Sequence, residues 1–365
     1  MKSLPATAEN DGVCARQIAL FGAFVLPIYK LTEVPSILAE FAKGDLLLPA
    51  LLHYLLQAGL LALLLFALSK SETPLLVRIE EKLGKGALIV YAFYALFFLL
   101  TAVLPLLDLE KFVYAVFYDT APTLFSFLFF FILCAFVCTK GLKAIGRFSD
   151  IALILFLVPF LALLVMSLVE ADISNLLPLF ESPAKQSVKA FSCTIPHFSD
   201  VIFLLPLLGR LNYKKGDGKK IMGGYALGGV FTLLFLAVFY GVYSTIAPKQ
   251  HYAFSKIAQY FPALASIGRI DLLLVYVLCL VLFFYTCLPV FYSCGCISKV
   301  FSTKRKTLIS AGVCFFAFLF VLFFNRRYNA IYALFTQKLT VLFVLFADLV
   351  PLFLIFFIKR KKPNA

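Results

Sequence analysis

Residues 26–35 read LPIYKLTEVP and residues 194–200 read TIPHFSD, and each stretch interrupts a long apolar run. Both contain proline, which removes a backbone N–H donor from a helix. Both also carry ionisable side chains, Lys30 and Glu33 in the first stretch and Asp200 in the second. Ionisable groups at bilayer depth are costly and indicate function. A matched pair of interrupted helices is the sequence pattern typical of a transporter-like binding site.

The composition of the chain indicates an integral membrane protein. Of its 365 residues, 62% are hydrophobic and 14% are charged, whereas a soluble domain is about half apolar and about a quarter charged. The formal charge of +14 does not indicate nucleic-acid binding, because the basic residues lie in short loops between apolar runs. The sequence shows no catalytic triad, metal-ligand cluster or nucleotide-binding loop, so we expect no enzyme activity, metal or cofactor.

Ten windows of about 20 apolar residues are long enough to cross a bilayer. They cover residues 17–39, 48–69, 86–107, 122–139, 149–169, 187–209, 221–244, 268–296, 307–324 and 339–358. Five precede Leu177 and five follow it, so the two interrupted runs are spans one and six and open the two halves of the chain. We therefore predict a transmembrane domain over residues 17–358, with a cytosolic segment at 1–16 and a basic cytosolic tail at 359–365.

The distribution of basic residues predicts that both termini face the cytosol of a bacterial cell. Roughly two thirds of the 33 Lys and Arg residues fall in segments on the same side as the N-terminus, and cytosolic loops carry such an excess. Arg326 and Arg327 form the one cluster on the opposite side. On that outer side, residues 252–260 form an amphipathic stretch that we expect to be a short external helix.

We predict a binding site where the two interruptions meet. Lys30 lies roughly 21 Å along span one at 1.5 Å per residue, which is close to the midplane of the bilayer. Asp200 lies about midway along span six. The candidate substrate-binding residues are Pro27, Ile28, Tyr29, Lys30, Glu33, Thr194, Pro196, His197 and Asp200, together with Tyr94 of span three and Tyr276 of span eight.

Two interpretations of these charges stay open. In the first, half-helix ends and side chains bind a small polar solute such as an amino acid. Helix N-termini suit its carboxylate, and Asp200 or Glu33 suits its ammonium group. In the second, Lys30 pairs with Glu33 or Asp200 as a buried lock without a ligand. His197 is either a hydrogen-bonded packing residue or a contact for the ligand or a proton.

Three smaller patterns carry weaker expectations. Gly224 and Gly228 in span seven are spaced for close helix packing. The nine cysteines match no zinc-site or disulfide spacing, so we expect them to be small apolar fillers. Asp348 in span ten has no evident partner in the sequence.

Several short motifs, taken in order, resemble those of one family. They are Val34-Pro35-Ser36-Ile37-Leu38-Ala39-Glu40 with Gly44-Asp45, Asn175-Leu176-Leu177-Pro178-Leu179, Phe198-Ser199-Asp200-Val201-Ile202, Phe261-Pro262-Ala263-Leu264 and Gly268-Arg269-Ile270-Asp271. With the length and the ten windows, they resemble the spore germination permease family, the B subunits of bacterial germinant receptors within the amino acid–polyamine–organocation superfamily.

The resemblance implies a fold, a function and partners. The implied fold is all-α, a leucine-transporter-like five-plus-five inverted repeat with helices one and six broken. The implied function is sensing of a small nutrient, such as an amino acid, in the spore inner membrane with an A-type subunit and a lipoprotein C-type subunit. The competing hypothesis is a proton-coupled amino-acid permease of the vegetative cytoplasmic membrane, in which His197, Asp200 and Glu33 carry the proton.

The chain departs from the family pattern in span one. Counting back from Pro35, the family has a Gly-x-Gly where backbone amides approach the ligand carboxylate, and this chain has Ile28 and Lys30 at those positions. The lysine either supplies positive charge in place of the amides, or fills the pocket and mimics a ligand amine. We therefore do not assume that the solute is one of the family's usual amino acids.

Overall fold

The computed structural model describes residues 13–70, 80–117, 123–178, 180–259, 270–303 and 305–356. Within these ranges the chain is helical and contains no β-strand, which confirms the predicted all-α class. The predicted tail at 359–365, most of the predicted segment at 1–16, the Phe261–Leu264 motif and the Gly268–Arg269 half of the next motif lie outside the described residues.

The helices have the following bounds: α1 Ala15–Leu20, α2 Leu26–Lys30, α3 Val34–Ala42, α4 Leu47–Ser69, α5 Gly86–Phe117, α6 Thr123–Cys138, α7 Leu142–Glu170, α8 Ala184–Phe198, α9 Val201–Leu208, α10 Asp217–Tyr243, α11 Ala253–Gln259, α12 Ile270–Val300, α13 Lys306–Phe324, α14 Tyr328–Ala333, α15 Thr340–Phe343 and α16 Val350–Phe356. A π-helical turn, Phe21–Val25, joins α1 to α2. Helix α11 confirms that the amphipathic stretch predicted at residues 252–260 forms a short helix, over Ala253–Gln259, and its location on the outer side stays a prediction.

Seven helical stretches within the described residues are long and apolar enough to cross a membrane. One of them, Val34–Ser69, has 36 residues, well beyond the ~20 that one crossing needs, and it contains the 3₁₀ turn Lys43–Leu46 between α3 and α4. Phe127–Cys138 and Thr340–Phe353 are apolar but shorter. The structure therefore shows a multi-pass membrane protein, and the count of ten spans stays a prediction.

The outer surface of the bundle is apolar. Large hydrophobic side chains such as Leu55, Phe129 and Ile154 are at least 60% exposed, and similar residues occur on most of the long helices. Helices that are apolar on all faces are typical of membrane spans. The buried side chains include a core of aromatic and branched aliphatic residues, and buried ionisable groups lie inside it.

The break in span one lies between α2 and α3. Residues 31–33 are non-helical, and Pro27 and Pro35 stand in the first turns of α2 and α3. Proline suits the first turn of a helix, because the N–H that it lacks has no partner there. The predicted interruption between Pro27 and Pro35 is therefore present: Pro35 begins the second half-helix, whereas Pro27 lies in the last turns of the first, which runs without a gap from Ala15 to Lys30.

The break in span six lies at the C-terminal end of the predicted stretch, residues 194–200. Helix α8 continues through Pro196 to Phe198, and the non-helical residues are Ser199 and Asp200. The Ser199 hydroxyl donates a hydrogen bond of 2.9 Å to the Ile195 carbonyl oxygen, which caps this end of α8. The predicted interruption at residues 194–200 is therefore present, but Pro196 itself lies inside α8, because one missing N–H near a helix end is tolerated when neighbouring groups satisfy the freed carbonyls.

Helix α10 packs closely against span one at two glycines. A methyl group at Gly224 would overlap the main-chain carbonyl of Ala19, and one at Gly228 would overlap the carbonyl of Gly22. The two backbones therefore touch at Gly224 and Gly228, where α10 has no side chain. This contact confirms the predicted packing role of the two glycines. The contact packs α10 against the first half-helix of span one, about three turns before its break.

We expect Gly224→Ala to destabilise the protein by about 1–3 kcal/mol, because the added methyl forces α10 away from Ala19. Gly223→Ala is the matched control, since a methyl there meets nothing within 4 Å. This control should be neutral or stabilising by up to about 1 kcal/mol through helix propensity. Thermal unfolding of the two variants in detergent measures the difference, and equal melting temperatures would contradict the close-packing assignment.

Candidate functional site

A fully buried ion pair joins the two helix breaks. Lys30 Nζ donates to Asp200 Oδ1 at 2.6 Å, and the two side chains are 0% and 1% exposed. The ammonium group also donates to the Leu26 carbonyl oxygen at 3.2 Å. The Tyr225 hydroxyl donates to Asp200 Oδ2 at 2.9 Å. The sequence allowed Lys30 to pair with either Glu33 or Asp200. The structure contains the ion pair with Asp200.

Aromatic rings surround the Lys30 ammonium group on one side. Its Nζ lies 5.6 Å from the ring centroid of Tyr54 and 5.4 Å from that of Phe198. These distances are within the range of cation–π attraction. The Tyr54 hydroxyl in turn donates to Thr232 Oγ1 at 2.7 Å. Spans one, two, six and seven thus meet around one buried cation.

The Gln57 side chain of α4 satisfies a free backbone amide at the break in span six. Its Oε1 accepts a hydrogen bond from the Val201 amide at 3.1 Å, at the N-terminus of α9. Its Nε2 donates to Asp348 Oδ1 at 2.8 Å. Asp348, which had no evident partner in the sequence, therefore fixes the orientation of the amide that caps α9.

Helix α11 satisfies the open backbone of span one. The Ala253 amide donates to the Thr32 carbonyl at 2.9 Å, and the Phe254 amide donates to the Leu31 carbonyl at 3.1 Å. Glu33 does not contact Lys30. It accepts from His251 Nδ1 at 2.9 Å, so the second charge of this break belongs to a contact with the segment that precedes α11.

A second buried carboxylate, which the sequence analysis missed, lies beside the first break. Asp108 accepts from the Tyr29 hydroxyl and from the Tyr328 hydroxyl, each at 2.6 Å. Asp108 directly follows the predicted third span, 86–107, so its position in the sequence indicates a residue at the membrane–water interface. Helix α5 in fact continues to Phe117, which places Asp108 inside the bundle, 4% exposed.

His197 is buried beside these groups, and its ring has unsatisfied polar atoms. Its side chain is 1% exposed and stacks on the Tyr29 ring at 5.3 Å. Within the described part of the chain, neither ring nitrogen has a hydrogen-bond partner. Buried polar groups are nearly always paired, so such an orphan indicates a site for a further group. The neighbouring Thr194 differs, because its hydroxyl lies 3.0 Å from His53 Nε2.

A small cavity of about 10 Å³ lies between the two breaks. This is room for roughly one water molecule. The lining residues come from the breaks and from α5, α12 and α15, namely Tyr29, Thr101, Leu104, Pro105, Pro196, Ser199, Phe203, Tyr285 and Phe343. Tyr285 stacks on Tyr29 at 5.1 Å, so the aromatic rings close the cavity on that side.

The structure brings five predicted site residues together, Tyr29, Lys30, Pro196, His197 and Asp200, whereas Glu33 contacts His251 and two tyrosines lie elsewhere. Tyr94 is buried, but it lies about two turns before Thr101 on α5, and its hydroxyl is 3.5 Å from the Phe346 carbonyl. Tyr276 is 55% exposed on the outer face of α12, so the structure places it outside the site. Helix rotation is the reason, since Tyr285 of the same helix faces inward. Pro27 and Ile28 are buried behind the site.

The arrangement defines a class of protein: a multi-pass, transporter-like membrane protein whose interrupted helices meet at a buried ionic centre. Residues 46–330 match the spore germination protein family, so the chain belongs to this family. The match contains the Asp200 break and begins after the Lys30 break. The family is one of membrane proteins rather than a class of enzymes. A search of curated proteins found no match.

We expect Lys30→Met to destabilise the protein by about 3–5 kcal/mol, because Asp200 is left as a buried charge without its partner. The double variant Lys30→Met with Asp200→Asn should recover most of this loss, since both side chains are then neutral and the introduced amide oxygen still accepts from Tyr225. Thermal unfolding in detergent measures both. A double variant no more stable than the single one would show that the ion pair is not the cause.

The contact between His251 and Glu33 predicts a pH dependence of stability. The hydrogen bond to Glu33 raises the pKa of His251 above its ordinary value. The contribution of this contact is therefore complete below the unfolded-state pKa of about 6.5, and it is lost as the pH rises through the raised folded-state pKa. His251 is 64% exposed, so the effect is about 1 kcal/mol or less.

Melting temperatures of wild type and His251→Gln, compared from about pH 5 to pH 9, test this dependence. The difference between the two proteins should be largest at the acid end and vanish at the alkaline end. Glu33→Gln should remove the same pH dependence. A constant difference across the range would exclude protonation of His251 as its source.

Proposed function

We propose that this protein is the nutrient-sensing B-type subunit of a spore germinant receptor, with a leucine-transporter-like five-plus-five fold. In this proposal a small solute, an amino acid or a related compound, binds between the breaks of spans one and six. The observation that carries the proposal is the buried His197, with two unsatisfied ring nitrogens, beside the cavity that Tyr29, Pro196 and Ser199 line. Membership of the spore germination protein family supports it.

The charges at the site constrain the chemistry of the solute. Asp200 is already occupied by the Lys30 ammonium and the Tyr225 hydroxyl, so a ligand ammonium has to compete with a tethered one. The cavity wall offers a hydroxyl and aromatic rings, from Ser199, Tyr29 and Tyr285, and the His197 imidazole stacks on the Tyr29 ring. We infer that the solute is recognised through hydrogen bonds and ring stacking, while Lys30 takes the place of a bound amine or cation.

The size of the cavity supports a sensing mechanism with a closed resting state. A cavity of about 10 Å³ does not hold an amino acid, so binding requires the surrounding side chains to move. Tyr285 and Phe203 both stand in the cavity wall, with their ring centroids 5.3 Å apart. A solute that binds only the opened form shifts the population toward it, and that shift is the signal that we propose reaches the A-type and C-type subunits.

The proposal includes the location and orientation predicted from the sequence. The protein lies in the bacterial cytoplasmic membrane, which in the spore is the inner membrane. Both termini face the cytosol. Helix α11 and the contact between His251 and Glu33 then lie on the outer side, where a nutrient arrives. The exposed apolar side chains of the long helices face lipid.

The alternative is a proton-coupled amino-acid permease of the vegetative membrane. The observation that favours it is the set of buried ionisable groups along span one. Asp200, Asp108 and Glu33 are each at most 5% exposed, and His197 stacks against Tyr29 in the same region. Chains of Asp, Glu and His in membrane proteins are typical of proton relays.

Germination of null-mutant spores on a panel of amino acids and other small nutrients tests the sensing function. We expect a loss of response to at least one nutrient, restored by the wild-type gene. His197→Phe should fail to restore it or require a higher nutrient concentration, because the ring still packs on Tyr29 but offers no nitrogen. Tyr276→Phe, on the exposed face of α12, is the matched control and should restore it fully. Unchanged germination of the null mutant on every nutrient would overturn the proposal.

Uptake of labelled amino acids into proteoliposomes separates the two functions. The sensor is expected to show no uptake above empty liposomes, while thermal unfolding shifts upward with the nutrient identified in the spore assay. Uptake that a protonophore abolishes, and that His197→Phe removes, would favour the permease instead.

A further inference from the structure

A cluster of cysteine side chains lies outside the central site, where three helices pack together. Cys134 and Cys138 lie one turn apart on α6, and Cys314 lies on α13. The three Sγ atoms lie within 4.8 Å of one another, and all three residues are buried. This is the one such group of potential metal ligands within the described residues. Helices α6, α12 and α13 all pack against one another.

Two further cysteines, both on α12, adjoin this group. Cys287 lies within hydrogen-bonding reach of Cys134, and Cys294 within reach of Cys138. Both are buried, at 5% and 4% exposure. Five of the nine cysteines therefore meet in one place, although the sequence predicted scattered apolar fillers. The spacing conceals the cluster, because Cys314 lies far along the chain from the pair on α6.

We propose that Cys134, Cys138 and Cys314 form a three-coordinate binding site for a soft monovalent metal ion, with Cu(I) as the ion that it fits. Thiolate ligands select soft ions such as Cu(I) over hard ones. Metal–thiolate bonds of about 2.3 Å place three sulfur atoms roughly 4 Å apart in a trigonal plane. The observed separations need to contract by less than an ångström to reach this geometry.

The ligand count distinguishes Cu(I) from zinc. Structural zinc takes four ligands in a closed tetrahedron. Here three sulfur atoms, those of Cys134, Cys138 and Cys314, are all close to one another. Cys287 adjoins Cys134, and Cys294 adjoins Cys138. On binding, each coordinating thiol releases its proton to solvent, so one cuprous ion with three thiolates leaves two negative charges.

Positive charge stands at the cytosolic end of the cluster. Cys138 is the last residue of α6, and Lys140 follows it by two residues. Lys306 is the first residue of α13, about 12 Å before Cys314 along the helix axis. These ends are predicted to face the cytosol, from which an ion can enter. A bound ion ties α6 to α13 beside α12, which carries Tyr285 of the central site.

Purified full-length protein, titrated with Cu(I) under anaerobic and reducing conditions against a chromogenic Cu(I) chelator, tests the site. We expect one ion per chain, with a first shell of sulfur alone in X-ray absorption. Cys134→Ser and Cys314→Ser should each lose this binding. Cys279→Ser is the matched control, because Cys279 is equally buried on α12 but lies two turns from Cys287, and it should bind as the wild type does.

Gel filtration and thermal unfolding of each variant identify those that have lost binding through misfolding. If Cys314→Ser fails to fold, Cys314→Ala replaces it, since alanine tests the same ligand without a buried hydroxyl. No stoichiometric Cu(I) binding by the folded wild type would overturn the proposal. So would equal binding by the cluster variants and Cys279→Ser, tighter binding of Zn²⁺ than of Cu(I), or a disulfide within the cluster that persists under the reducing conditions.

Discussion

The buried ion pair between Lys30 and Asp200 is the interaction on which the centre of this protein depends. Two charges removed from water cost more in desolvation than their attraction alone returns, unless further hydrogen bonds satisfy them. Here the ammonium group also bonds to the Leu26 carbonyl, and the carboxylate also accepts from Tyr225. Because Lys30 ends the first half-helix of span one and Asp200 stands in the break of span six, the pair fixes the two breaks against each other.

The irregular backbone at both breaks persists because elements from elsewhere in the chain satisfy it. Non-helical backbone at membrane depth requires protein partners for its polar groups. Helix α11 supplies two amides to the carbonyls of residues 31 and 32, Gln57 accepts from the Val201 amide, and Ser199 caps Ile195. The broken helices are therefore a property of the assembled bundle rather than of spans one and six alone.

The site has two sides with different chemistry. On one side, the Lys30 ammonium lies against Tyr54, Phe198 and the Asp200 carboxylate, and the negative charge of Asp200 balances its positive charge. On the other side, Tyr29, Ser199 and Tyr285 line the small cavity, and His197 stands beside Tyr29 with unpaired nitrogens. This division makes the lysine a fixed part of the protein, and the proposed function assigns the cavity side to the solute. The cysteine cluster among α6, α12 and α13 is a separate site, joined to the first through α12.

The sequence by itself determined the all-helical membrane class, the family, the two interrupted spans and the charged residues within them. Apolar runs, prolines and intramembrane charges are local signals, and they depend on residue type and spacing alone. The tertiary structure decided which charges pair: Glu33 contacts His251 and Lys30 contacts Asp200, although Glu33 is only three residues from Lys30. It also placed Asp108 inside the bundle, located the break in span six at Ser199 and Asp200, placed Tyr276 outside the site and brought five cysteines together. Each of these depends on helix ends, helix rotation or contacts between distant segments, which are set by packing of the whole bundle.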